Sequence, residues 1–117
     1  MLTVYGIANC DTIKKTTAWL DEIGLDYVFH DYKKQGLSAE LAQRMIAELS
    51  LARVINTRGT TWRKLPEDEK ESLSAENAAE LMLRETSLIK RPIIDVDGQL
   101  LIGFDDTTRQ TLTSKAK

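Results

Sequence analysis

The chain has 117 residues, enough for one domain that buries roughly two thirds of its unfolded surface. Its formal net charge is −2, from 16 basic and 18 acidic residues, so no overall field draws it to nucleic acid or to an anionic membrane. One cysteine cannot form an internal disulfide, and neither a signal peptide nor a transmembrane stretch is apparent. We therefore expect a soluble, cytoplasmic protein.

The first third of the chain predicts a strand, a helix and a second strand. A short apolar run at residues 2–5 is followed by apolar positions at helical spacing over residues 11–23. An aromatic and β-branched run over residues 27–29 then ends at His30. A unit of this length suits a right-handed crossover, so the two strands should be parallel.

The middle of the chain is predicted to be helical with polar connections. Residues 38–50 carry an N-capping serine and one apolar face, and residues 75–86 repeat that pattern. The polar stretches 33–37 and 66–72 are predicted as ordinary loops, and residues 53–65 as a functional loop.

The last third predicts a β-hairpin and a helix. Residues 93–96 and 99–102 are strand-like and are separated by Asp97-Gly98, which favours a type I′ turn. One of the adjacent aspartates 105 and 106 should cap a helix that reaches Leu112.

This order of elements is that of a thioredoxin-like fold. We predict one α/β domain over residues 1–117, a thioredoxin-like four-stranded mixed sheet with a helical insertion at about 38–90. Internal repeats and interdomain linkers are not evident in the sequence.

The lone cysteine, Cys10, lies between the first strand and the first helix. The first amides of a helix have no internal partners and the helix dipole is positive there, so this place favours the thiolate. Lys14 and Lys15 add positive charge. A buried, inert cysteine is the alternative, but the polar neighbours Asn9 and Asp11 favour an exposed loop. We predict that Cys10 is a nucleophile.

A two-cysteine redox site would need a second thiol at position 13, which is isoleucine. Attack by Cys10 on an oxidised substrate would therefore leave an adduct that an outside thiol, glutathione or a glutaredoxin, must release. We predict glutathione as co-substrate, no bound cofactor, and no turnover without added thiol.

Several cationic side chains are candidates for binding the substrate. Arg58, Arg63 and Arg91 offer planar donor groups suited to an oxyanion or to a glutathione carboxylate. Asn9 and Lys14, beside the cysteine, would contribute to the same site. Solvated or ion-paired surface roles are the alternative for the arginines.

Pro92 is predicted to follow a cis peptide bond. X-Pro bonds are where cis isomers occur, and the thioredoxin-like order strengthens this expectation. Arg91 would then face Cys10. The alternative is an ordinary proline at the start of a strand.

His30 and Trp62 receive no catalytic role. Because His30 is the only histidine, no metal cluster of His and Cys ligands is expected. Trp62 is interpreted mainly as an anchor for its loop, with stacking on a ligand as the alternative.

Three segments, residues 4–12, 56–65 and 90–94, together resemble the ArsC/Spx arsenate reductase family, and most closely its small YffB-like branch. The resemblance spans essentially the whole chain. It implies Cys10 as the nucleophilic thiolate, Arg58 and Arg91 near an anion site, and a cis bond before Pro92. In arsenate-reducing members the thiolate attacks arsenic, glutathione displaces part of the adduct, and glutaredoxin completes the release of arsenite.

The chain differs from the arsenate-reducing pattern at the site. Gly6 stands in place of a histidine, Ile13 in place of a serine, and Gly103 about where a third arginine is found, with Arg109 too far along to replace it. Small oxyanions and disulfides therefore both stay open as substrates. A regulator like Spx, which binds RNA polymerase and is not catalytic, is the alternative, although Ile13 removes its two-cysteine switch. An inactive scaffold is the third interpretation.

Overall fold

The computed structural model describes residues 2–116, with strands in the first and last thirds of the chain and helices through its middle. Residues up to Gln35 together with those from Arg91 onward form one compact unit, and Gly36–Lys90 form a second. In chain order, the elements of the first unit are β1 (Leu2–Gly6), α1 (Asp11–Ile23), β2 (Val28–Asp31), α2 (Tyr32–Gln35), β3 (Ile93–Val96), β4 (Gln99–Ile102) and α8 (Asp106–Ala116). Those of the second are α3 (Ala39–Leu49), α4 (Leu51–Val54), α5 (Thr60–Arg63), α6 (Glu67–Glu71), α7 (Ala75–Arg84) and a 3-10 turn (Thr86–Leu88).

The strands form the predicted four-stranded mixed sheet, in the order β2-β1-β3-β4. β1 is parallel to β2 and antiparallel to β3, and β4 is antiparallel to β3. The carboxyl ends of β1 and β2 and the start of β3 consequently lie at one edge of the sheet, because Gly6 is aligned with Asp31 and Tyr5 with Ile93. We call this the site edge.

A hydrophobic core attaches α1 and α8 to this sheet. α1 contributes Ile13 and Leu20, which are buried at helical spacing. Burying one such side chain stabilises the fold by about 1.5–3 kcal/mol. The cluster consists of Leu2, Val4, Ile13, Leu20, Ile94, Val96 and Leu112.

The turn between β3 and β4 is the predicted type I′ turn. Asp97 and Gly98 have φ angles of +51° and +95°, the left-handed conformation that both central residues of this turn require. The turn fixes the hairpin register, in which Ile93 pairs with Ile102.

The second unit is built around α3 and α7, which pack together through their buried faces. Ser38 caps α3 by accepting the Leu41 N–H at 3.1 Å, as expected from the sequence. Ser74 and Asn77 form a capping box at the start of α7. α7 ends at Arg84, short of the predicted end at residue 86, and a separate 3-10 turn begins at Thr86.

Helices occupy stretches that were predicted as loops, and those predictions are wrong. α2 lies within 32–35 because Asp31 caps it, accepting the Lys33 N–H at 2.9 Å. α6 follows Pro66 and begins with three acidic residues, which the helix dipole favours. The stretch 53–65 includes α5 and the end of α4.

The boundaries of the second unit, Gly36 and Lys90, lie close to those of the insertion expected at about 38–90. Asp105 is the aspartate that caps α8, since its carboxylate accepts the Thr108 N–H at 2.9 Å. α8 continues beyond Leu112 to Ala116. No helix within residues 2–116 is both long enough and apolar enough to cross a membrane.

Candidate active site

Cys10 is the N-cap residue of α1, in an extended conformation with φ −147° and ψ 126°. Its N–H donates to the carbonyl of Ala8 and its carbonyl accepts the N–H of Lys14, both at 3.0 Å. These bonds fix the loop between β1 and α1. The side chain is half-buried, so the sulfur has partial access to solvent at the first turn of the helix.

The surroundings of Cys10 favour the thiolate. Partial burial by itself raises the pKa of the thiol. Hydrogen bonding from the Ile13 backbone, from the Arg91 side chain and from the Thr12 backbone lowers the pKa of the thiol, and the charge of Arg91 adds to their effect. Together these groups outweigh burial and hold the pKa of Cys10 below its ordinary value. The sulfur is thus suited both to attack and to depart as a thiolate.

Arg91 reaches Cys10 because of its place at the site edge. The peptide bond between Arg91 and Pro92 is cis, the isomer predicted from the sequence. The Pro92 carbonyl accepts the Gly103 N–H at 2.9 Å, which ties this segment to the end of β4. Arg91 is half-buried and directly precedes β3, the strand that pairs with β1.

The side chain of Ile13 fills the space beside Gly6, close to Cys10. A Cβ atom built on Gly6 would lie 2.9 Å from Ile13 Cγ1 and closer still to its Cδ1. The next neighbour, Arg91 Cγ, is 3.9 Å away. The two departures from the arsenate-reducing pattern are therefore physically linked: the large Ile13 side chain, 2% exposed, leaves no room for a side chain at position 6.

Three aromatic side chains form a cluster at the site edge, which sequence reasoning missed. The Tyr5 and Tyr32 rings are nearly parallel with centroids 6.4 Å apart, and His30 contacts both, at 5.1 and 6.1 Å. We call Tyr5, His30 and Tyr32 the aromatic cluster. The spacing of aromatic residues at the ends of two parallel strands was the available signal.

The remaining predicted residues lie as follows. Asn9 is exposed in a bend just before Cys10, and the side chain of Lys14 is exposed in the first turn of α1. Arg58 belongs to the second unit, where its side chain is exposed, its N–H donates to Asn56 Oδ1 at 3.1 Å and its carbonyl accepts Arg63 Nη2 at 2.9 Å. The anion-binding roles of these residues stay predictions.

Arg109 has partners of its own. Its guanidinium lies over the Phe104 ring at 5.0 Å, donates to the Phe104 carbonyl at 3.1 Å and pairs with Asp106. Trp62 is half-buried, with Lys70 Nζ 5.9 Å from its ring centroid. Among residues 2–116, no group of three or more His, Cys, Asp or Glu side chains is placed to hold a metal ion.

The fold and the site define a thioredoxin-like protein with one activated thiol at a helix N-terminus. The sequence profile of the ArsC family matches residues 5–112, which is most of the chain. The chain belongs to the ArsC family.

Two relatives are similar in sequence to nearly the whole chain. An uncharacterized protein of Haemophilus influenzae is 41% identical over 110 residues, covering 94% of this chain and 96% of that protein. The global transcriptional regulator Spx of Listeria innocua is 28% identical over 120 residues, covering 100% of this chain and 91% of the regulator.

Two solved structures are also similar to this chain over most of its length. A protein named YffB (PA3664) superposes with a TM-score of 0.90 and 43% identity, covering 95% of this chain and 97% of that one. An arsenate reductase (ArsC) related protein from Brucella melitensis has a TM-score of 0.77 and 46% identity, covering 94% and 92%.

Proposed function

We propose that the protein is a glutathione-dependent thiol oxidoreductase in which the Cys10 thiolate is the nucleophile. The observation that carries this proposal is the position of Cys10 as the N-cap of α1, with partial access to solvent, where the helix backbone and Arg91 hold its pKa low despite burial. A structural cysteine has no need of such surroundings. A lowered pKa increases the fraction of thiolate, the reactive species in thiol exchange.

The proposed cycle uses one protein thiol and two external ones. Cys10 thiolate attacks a disulfide R–S–S–R, so that a bond to one sulfur forms and the other leaves as a thiolate, which takes a proton from water. Glutathione thiolate then attacks the R sulfur of the adduct, which releases Cys10 thiolate and the mixed disulfide of glutathione and R. A second glutathione resolves that species, giving two R–SH and oxidised glutathione overall.

Disulfides are the substrate class that the site supports best. Ile13 presents an apolar side chain against Gly6, at the positions where arsenate reducers have polar ones. Arsenate is the second substrate, since the ArsC-related protein of Brucella melitensis resembles this chain at 46% identity. In either case glutathione, with glutaredoxin as a further partner, supplies the electrons, and the cytoplasm is the proposed location because its glutathione pool is reducing.

A coupled assay tests the proposal. NADPH consumption is followed with glutathione, glutathione reductase and glutaredoxin, and with a small disulfide or arsenate as substrate. We expect the native protein to raise turnover above that of the same mixture without it, Cys10→Ser to give only that background, and no turnover without glutathione. A rate for Cys10→Ser equal to that of the native protein with both substrates would refute the proposal.

A regulatory role is the second candidate, favoured by the similarity to Spx along the full chain. In that case the protein acts by binding a protein partner such as RNA polymerase, and catalysis is absent. Partner capture that is equal for the native protein and Cys10→Ser, with no turnover by either, would favour this candidate over the enzyme.

A further inference from the structure

One stretch of the second unit, from Leu49 to Pro66, carries a concentration of positive charge. It contains four cationic residues and no acidic one, although the net charge of the whole chain is −2. A local excess of this kind attracts anions to one part of the surface. The four residues are Arg53, Arg58, Arg63 and Lys64.

The Arg58 guanidinium is available to a ligand. It is exposed and has no hydrogen-bond or ion-pair partner among residues 2–116. Three other arginines form ion pairs: Arg44 with Glu48, Arg84 with Glu69, and Arg109 with Asp106. An unpaired guanidinium keeps all its planar N–H donors for a carboxylate or a tetrahedral oxyanion. Arg53 is also exposed and without such a partner among these residues.

Arg58 differs from Arg53 in how its backbone is held. The Arg58 N–H donates to Asn56 Oδ1 at 3.1 Å, and the Arg58 carbonyl accepts Arg63 Nη2 at 2.9 Å. A Cβ atom on Gly59 would lie 3.1 Å from Asn56 Nδ2, so glycine leaves room for the Asn56 side chain. Side chains thus fix both peptide groups that flank the Arg58 Cα.

The two residues that hold Arg58 are themselves anchored within the second unit. The Asn56 N–H donates to the Leu88 carbonyl at 2.8 Å. Arg63 ends α5, and its carbonyl accepts Lys70 Nζ, from α6, at 3.5 Å. The backbone of residue 58 is therefore connected to the 3-10 turn on one side and to α6 on the other.

This arrangement affects binding more than stability. A hydrogen bond to an exposed carbonyl replaces one to water, so its net contribution to folding is small. Binding through a long, flexible side chain costs conformational entropy, and a backbone that is already ordered removes part of that cost. The bond from Arg63 therefore favours any ligand that Arg58 contacts.

We propose that Asn56 and Arg63 are positioning residues, which hold the backbone of residue 58 so that the Arg58 guanidinium binds an oxyanion group of the substrate or of glutathione. Arg58 contacts the anion, whereas Arg63, a candidate anion ligand from sequence alone, acts through Arg58. The group bound is a carboxylate of glutathione or a tetrahedral oxyanion such as arsenate, since both match the donors of a guanidinium. This inference rests on the proposed function.

NMR titration of the native protein measures binding without any thiol chemistry. The probes are S-methylglutathione, which has carboxylates and no free thiol, and inorganic phosphate, a tetrahedral oxyanion. The signals are the Arg58 Nε–H and the Gly59 backbone N–H. We expect at least one probe to shift both signals in a saturable way, and the probe that binds identifies the anion as carboxylate or tetrahedral. Arg58→Ala should abolish the shift of the Gly59 signal.

Variants of the two holding residues test the positioning role. Arg63→Ala and Asn56→Ala should each lower the affinity about fivefold, because binding must then order the backbone of residue 58. The heteronuclear NOE of the Arg58 backbone N–H should fall in both variants. Arg53→Ala is the matched control, since it removes an exposed cation from the same stretch, and it should change neither quantity.

Added salt separates positioning from charge, because salt screens an exposed charge and leaves a positioning effect in place. The ratio of the native and Arg63→Ala affinities should persist when salt weakens binding by both proteins. A ratio that salt abolishes would overturn the proposal. Equal affinities at low salt, an undiminished effect of Arg63→Ala in an Arg58→Ala background, or no binding of either probe would also overturn it. Binding that behaves as expected, in a protein without Cys10-dependent turnover, would instead count against the proposed function alone.

Discussion

The packing of Ile13 against Gly6 predicts that the effect of a methyl group at position 6 changes sign with residue 13. Gly6→Ala places a Cβ 2.9 Å from Ile13 Cγ1 and nearer to Cδ1, in a side chain that burial prevents from moving aside. Overpacking of this kind costs about 1–3 kcal/mol. The lower entropy of the unfolded Ala chain offsets about 0.4–1 kcal/mol of it, since Gly6 lies in a strand that alanine can adopt. We expect net destabilisation of about 1–2 kcal/mol.

The same substitution should stabilise an Ile13→Ala protein. With both clashing atoms removed, the nearest remaining atom is Arg91 Cγ at 3.9 Å, an ordinary contact. Only the entropic term then remains, so Gly6→Ala should add about 0.4–1 kcal/mol. Ile13→Val, which lacks Cδ1 and keeps Cγ1, should fall between the two.

Urea unfolding followed by circular dichroism measures all four proteins of the cycle. The coupling free energy between positions 6 and 13 should be about 2 kcal/mol. Leu20→Ala is the matched control, because Leu20 lies in the same helix and core without facing Gly6. Additive effects of Gly6→Ala and Ile13→Ala, or an equal coupling to Leu20, would refute the reasoning.

Three further predictions concern charge and capping. Arg91→Ala should raise the pKa of Cys10, so that the pH profile of iodoacetamide alkylation shifts upward; Arg53→Ala, an exposed control, should leave it in place. The pKa of Cys10 is lower in the folded protein than in the unfolded chain. The free energy of unfolding of the native protein, relative to that of Cys10→Ser, should therefore increase as the pH rises from below the folded-state pKa to the unfolded-state pKa. An increase as the pH is lowered would contradict this. Ser38→Ala should lower the free energy of unfolding by about 1 kcal/mol, because the cap of α3 is lost, whereas Ser38→Gly should lower it by only a few tenths of a kcal/mol. Equal losses for the two variants would contradict the capping role of Ser38.

Local patterns in the sequence were sufficient where a single interaction decides the structure. Asp97-Gly98 specifies its turn through backbone conformation, and Ser38 specifies the start of α3 through one hydrogen bond. The turn and the cap require no knowledge of distant contacts. The expectation that Arg91 faces Cys10 instead depended on the thioredoxin-like order of elements and the cis bond before Pro92.

Short helices and cross-strand contacts were not predictable in this way. α5 and α6 have too few residues for an apolar period to be visible, and no side-chain hydrogen bond caps the start of either helix. The acidic first turn of α6 is the one local signal that its sequence offers. The aromatic cluster depends on the register of β1 against β2, since a shift of one residue would move Tyr5 to the other face of the sheet. The contact between Gly6 and Ile13 similarly requires the three-dimensional path of α1 across the strand.

Ile13 also determines how the oxidation state of Cys10 in the proposed enzyme depends on the concentrations of reduced and oxidised glutathione. A site with two cysteines closes its own disulfide, so its reduction by glutathione consumes two molecules and varies with the square of the glutathione concentration. With Ile13 in the second position, Cys10 can only exchange one glutathione at a time, and the fraction held as adduct depends on the ratio of oxidised to reduced glutathione. Dilution of the whole pool at constant ratio would leave that fraction unchanged.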